Sequence, residues 1–232
     1  MGWTPARGES DAIALLRETL IRALGRFDDP AVLAEARTHF ARSATSPDAL
    51  TAATGAAVIA VIARHADQPT WDALRARAKR ASEPIEKERL YEALGRPLDP
   101  ALVSRALALT LSGEIPHVFA SDVISTAANE HPELVFDFAV AHEKQVLDLV
   151  DATWRQTFIP ALAQTSVEPA MIGQVRDYAE RSIPADARQT AERVVAAIAF
   201  HADVKARQLP ALEAWVDRTV AGHAAQGVST AR

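Results

Sequence analysis

The chain has 232 residues, 49% of them hydrophobic and 24% charged, a balance that argues against disorder and leaves room for a substantial core. It has no cysteine, which excludes a disulfide frame, a thiolate metal site and a cysteine nucleophile. The net charge is −5 with no basic block, so nucleic acid is not an expected partner, and no apolar run approaches the ~20 residues that a membrane span needs.

Thirteen prolines, nine glycines and 6% aromatic residues do not suit a turn-rich β-protein, and the apolar spacing is helical nearly throughout. Met1-Gly2-Trp3-Thr4-Pro5 lacks the basic flank and apolar stretch of a secretory signal. It reads as an interior segment, and a cytoplasmic location is expected. Ile13, Leu16, Leu20 and Leu24 form the apolar stripe of a first helix, with Arg17, Glu18 and Arg22 off it. A second helix follows Asp29-Pro30 and carries Val32, Ala36 and Phe40. Ser46-Pro47 opens a long, nearly uncharged helix through Val58, Ile59 and Ile62. Trp71, Leu74 and Ala78 mark the next, and Ile85, Leu90, Tyr91 and Leu94 another that ends at Gly95.

Asp99-Pro100 starts a helix with Val103, Ala106 and Leu107 that stops near Gly113. Ser121-Asp122 caps one with Val123, Ile124 and Ala127, and His131-Pro132 opens one with Leu134, Val135 and Phe138. Val146, Leu149, Val150 and Trp154 stripe the next. Met171, Val175, Tyr178 and Ala179 form another, followed by a long helix after Pro184 with Ala191, Val194, Val195 and Ile198. Leu209, Leu212, Trp215 and Val216 make the last. Proline beside a polar residue is the recurring start signal, because the first-turn N–H has no intrahelical partner and the polar side chain can cap. The expectation is an all-α fold of about a dozen helices, antiparallel pairs stacked in an irregular HEAT- or armadillo-like superhelix. A closed helical bundle is the competing arrangement. Residues 1–221 are expected to form one domain and 222–232 a flexible tail.

The residues offer no catalytic constellation. His142-Glu143 begins like a zinc-protease helix, but Val146 stands where the second histidine would be. Asp148 and Asp151 are three apart, and a solvated face is the expected reading for them. There is no nucleophile elbow and no Gly-rich phosphate loop. Glu86-Lys87-Glu88-Arg89 reads as an ion-paired helix surface, and Trp71, Trp154 and Trp215 read as core.

A family pattern does run through the chain. Gly2-Trp3-x-Pro5-x-x-Gly8-Glu9-Ser10 with Leu15-Leu16-Arg17 resembles the start of the C-terminal helical domain of M1 zinc aminopeptidases, the group of the puromycin-sensitive and endoplasmic-reticulum aminopeptidases. In order, Ala34-Glu35-Ala36-Arg37-x-x-Phe40, then Pro84-x-Glu86-Lys87-x-Arg89-Leu90-x-x-Ala93-Leu94-Gly95, then Asp99-Pro100-x-Leu102 continue the likeness. Ser121-Asp122-Val123, Ala127-Ala128-Asn129 and Leu209-Pro210-Ala211-Leu212-x-x-Trp215-Val216 complete it. The chain departs from the pattern at Phe119-Ala120-Ser121-Asp122, where many relatives have Arg-x-Gln-Asp, and near Phe136, where tryptophan is common.

The resemblance implies a substrate-enclosing and gating domain with no metal or catalytic residue of its own. Zinc, the general base and the amine-binding site lie in an upstream catalytic domain of the same polypeptide, and peptides are the substrate. Asp122 becomes a candidate chamber residue by its place in the matched segment. Two other readings stay open: a free-standing helical-repeat scaffold that binds a protein partner, and a small helical enzyme using Asp148 and Asp151. A scaffold is expected to begin with a capping helix, and the Trp-Thr-Pro start fits a truncation instead.

Overall fold

The computed structural model describes residues 2–4, 6–46, 50 and 54–229, with side chains through Val220. The α-helices are α1 (Asp11–Arg26), α2 (Pro30–Arg42), α3 (Gly55–Arg64), α4 (Gln68–Arg80), α5 (Pro84–Ala93), α6 (Pro100–Ser112) and α7 (His117–Ala128). They continue as α8 (Pro132–Ala141), α9 (Glu143–Asp148), α10 (Arg155–Leu162), α11 (Ala170–Ser182), α12 (Gln189–Asp203) and α13 (Leu209–Ser229). A 3₁₀ turn (Ala185–Ala187) precedes α12, and a π-helical turn (Val204–Gln208) runs α12 into α13. No strand occurs among the described residues.

The start signals work as their chemistry requires. Asp29 Oδ1 accepts from the N–H groups of Ala31 (3.0 Å) and Val32 (2.9 Å), and Asp99 Oδ1 from that of Ala101 (2.8 Å). Asp67 caps α4 through Thr70 N–H at 2.9 Å. Pro30, Pro84, Pro100 and Pro132 are each the first residue of their helix. Gly113 ends α6 at φ +80°, a left-handed conformation that costs glycine little.

Helices pack in pairs, in sequence order. α1, α3, α5 and α7 lie side by side as one layer, while α2, α4 and α6 pack against α3, α5 and α7 as a second. α8 and α10 extend the stack from α7 to α12, which pairs with α11. Three apolar clusters fill it in succession: Ile21, Val32, Ala36, Val58 and Ile62; then Ile59, Trp71, Leu74, Leu90, Leu94 and Ile115; then Leu107, Ile124, Phe136, Ile159, Met171 and Ile198. α3 supplies Val58 to the first and Ile59 to the second, so one helix couples neighbouring clusters. Trp71 is fully buried and donates its indole N–H to Leu94 O at 3.1 Å.

Several local expectations are corrected. The helix expected from Ser46-Pro47 begins at Gly55, and Pro47 lies outside the described residues. Ser121-Asp122 is not a cap but sits within α7, which follows Pro116. The stripe from Val146 to Trp154 is not one helix. α9 ends at Asp148, and the Asp151 carboxylate takes the Thr153 N–H at 2.9 Å, a side-chain turn that competes with helix. Trp154 is therefore exposed (63%), and so is Trp215 (56%).

The stripe of α1 is also misplaced. Ile13, Leu16, Leu20 and Leu24 remain 40–48% exposed, and the buried positions are Arg17, Ile21 and Gly25. Gly25 explains the rotation: a Cβ there would lie 2.4 Å from Val61 Cγ2, so α1 meets α3 along its smallest residue. Arg17 is buried because Glu9 pairs with its guanidinium and Gly2 O accepts from its Nε at 2.6 Å. That clasp folds the opening segment onto α1 and stacks Trp3 on His39 at 5.2 Å.

Candidate functional site

Confluent clefts open on the layer of α1, α3, α5 and α7. The first, about 250 Å³, is lined by Arg22, Ile59, Ile85, Glu88, Arg89, Glu92 and Arg96 among others. The second, about 340 Å³, shares Arg22, Ala60 and Arg96 with it and adds Arg26, Arg64, Thr126, Asn129 and Glu130. A third, about 270 Å³, lies between α7 and α10 and shares Asn129 with the second. Together they make a polar furrow with five guanidinium groups.

Helical spacing places these groups. Arg22 and Arg26 are one turn apart on α1. Glu88 and Glu92 are one turn apart on α5, and Arg96 continues their row just beyond its end. The turn between α7 and α8 brings Glu130 to α1 and α3, where it pairs with Arg64 and, at 3.4 Å, with Arg26. Arg64 Nε is buried without a hydrogen-bond partner.

The electrostatics are strained at the centre. Burial pushes the Glu92 carboxyl above its usual range, the charges of Asp122 and Glu88 push the same way, and Arg96, 3.6 Å away, opposes them. Burial likewise lowers Arg96, helped by the positive charge of Arg22 and opposed by Glu92. Asp122 is thus half-buried on α7 with its charge felt at the furrow.

The other sequence candidates are not brought together. Asp148 ends α9 and Asp151 lies in the turn beyond it, so they do not share a helix face. The Glu143 carboxylate accepts from Tyr178 Oη at 3.2 Å and Ser182 Oγ at 3.4 Å. His142 packs its ring 4.8 Å from Phe138. No group of three or more His, Asp or Glu side chains that could hold a metal ion occurs among the described residues, so the zinc implied by the resemblance finds no fitting donor set in them.

Most of the furrow is not legible in the sequence. Glu88 and Arg89 carry the pattern of an ion-paired helix surface, and Arg64, Arg96 and Glu130 carry no motif. Only the one-turn spacings of Arg22 with Arg26 and of Glu88, Glu92 and Arg96 signalled shared faces. The clasp of Arg17 to Glu9 and Gly2 gives physical content to the opening motif, and Gly95 does so for the α5 motif, since a Cβ there would lie 2.7 Å from Val123 O. A family model described as the ERAP1-like C-terminal domain matches residues 1–199. This chain belongs to the family of ERAP1-like C-terminal domains.

Proposed function

We propose that the chain acts as the substrate-enclosing and gating domain of an M1 zinc aminopeptidase that removes N-terminal residues from peptides. The observation that carries this reading is the family match over residues 1–199. Two structural features support it. The furrow offers guanidinium donors and carboxylate acceptors along an extended track, which suits a peptide backbone and its polar side chains. The apolar flank of α1, with Ile13, Leu16, Leu20, Leu24 and Phe27 all exposed, suits cover by an upstream catalytic domain.

In this reading the helix pairs curve as a HEAT- or armadillo-like superhelix around a chamber, and Asp122 stands near its wall. The upstream domain supplies zinc, whose bound water does the hydrolysis. The domain's part is to admit and hold substrate by moving as a unit. The compartment is the cytoplasm.

Two measurements test this. The purified chain, incubated with zinc and an aminoacyl amide, is expected to release no amine above the buffer rate; metal-dependent release overturns the reading. An antibody to this chain is expected to detect, in lysate of the source cells, a polypeptide several-fold longer than 232 residues. A product no longer than the chain turns the reading to a scaffold that binds a protein partner.

A further inference from the structure

From Lys205 to Arg218 every residue is exposed, and the substantial contacts of α13 are with the π-helical turn that leads into it. The helix therefore projects from the stack. Its composition does not suit a projecting helix. Leu209, Leu212, Trp215, Val216 and Val220 are 43–63% exposed and recur at helical spacing, and Phe200 (63%) prolongs the strip onto α12. An uncovered apolar strip is a cost without a return unless something packs on it.

The sequence of this strip is complementary to itself. Laid antiparallel about Leu212, Leu209 meets Trp215 of a second copy and Val204 meets Val220 of the second copy. Arg207 comes opposite Asp217 of the second copy, at the rim. No like charges oppose each other in this register: Lys205 faces Thr219, and Glu213 faces Ala211. A parallel pairing would instead set Glu213 on Glu213, Asp217 on Asp217 and Arg218 on Arg218. We propose that α13 is the docking surface for a second copy of this chain, paired antiparallel about Leu212.

The five apolar side chains expose roughly 500 Å² per copy, so a pair buries about 1,000 Å², the lower limit for a specific interface. A reversible dimer with a micromolar dissociation constant is the expected strength. The pairing is isologous and closes at two copies, whereas docking of α13 on the bare flank of α1 would join head to tail and keep growing.

Sedimentation of the 232-residue chain from about 1 to about 200 μM is expected to show a monomer–dimer equilibrium. Leu212→Asp is expected to weaken it at least tenfold, with an unchanged melting curve at concentrations well below the dissociation constant, since Leu212 is more than half exposed in the monomer. The absence of cysteine makes the geometry testable. Leu212→Cys puts the sole thiol on the two-fold axis, and mild oxidation is expected to give a covalent dimer. Val220→Cys lies eight residues from the axis, which separates the two thiols by roughly 24 Å and precludes a disulfide. A monomer at the highest concentration, growth beyond two copies, or equal cross-linking of the two variants each overturns the proposal.

Discussion

Glu114 lies in the connection between α6 and α7 and pairs with Arg75 and Lys79 of α4, the latter at 3.0 Å. Arg75, then Lys79, hold its carboxyl at about 2, well below the usual 4.5. A lowered folded-state value means that the contribution to stability is complete above about 4.5 and is lost as pH falls from there to about 2. Glu114→Gln is expected to cost about 1–2 kcal/mol at pH 7 in urea unfolding, with the difference from the parent shrinking across that window. Gly25 offers a test of a different kind. Gly25→Ala forces a Cβ into Val61 and is expected to cost about 1–3 kcal/mol, much of it recovered by adding Val61→Ala. Single residues were legible where local chemistry decides them, as with Asp29 and Asp99. They were not legible where a distant partner decides: Arg17 is a buried charge because of Glu9, and no spacing rule announces that pair. Trp71 and Trp215 sit in similar stripes, yet one is fully buried and the other 56% exposed, because an apolar stripe states a preference and says nothing of whether a neighbour covers it.

At the scale of the helix, the cap and the proline define the starts. Asp29→Ala and Asp99→Ala are each expected to cost about 1 kcal/mol, read as a shift in thermal unfolding, because each removes the acceptor for first-turn N–H groups. The sequence misleads where the same residue types have another use. Asp151 closes a turn instead of joining a helix, and Asp122 lies within α7 instead of capping it. α13 follows the helical pattern but has no cover from Leu209 to Arg218, so its local stability is low. Amide exchange in dilute solution is expected to be fastest along α13 from Leu212 to Val220. It is expected to be slowest in α4, α6 and α7, whose inner residues Leu74, Leu107 and Ile124 are fully buried. Uniform protection across both regions would contradict the projecting helix.

The whole molecule is a succession of helix pairs whose three apolar clusters are joined through shared helices. The furrow belongs to this scale, since Arg22, Arg64, Arg96 and Glu130 come from four separate stretches of chain. If the furrow tracks peptide, Arg96→Glu in the aminopeptidase that carries this domain is expected to alter cleavage of long peptides severalfold while sparing a single-residue chromogenic substrate. Equal effects on both would assign Arg96 a structural part only. The sequence by itself determined that the chain is all helical, where most helices start, and which positions of α4, α6, α11 and α12 face inward. These follow from periodicity, capping and proline geometry, which act over a few residues. Only the tertiary structure decided which side of α1 is buried, that α13 stands bare from Leu209 to Arg218, and that scattered arginines and glutamates share a furrow. Those outcomes depend on contacts between residues tens of positions apart, where close approach and charge pairing outweigh the local stripe.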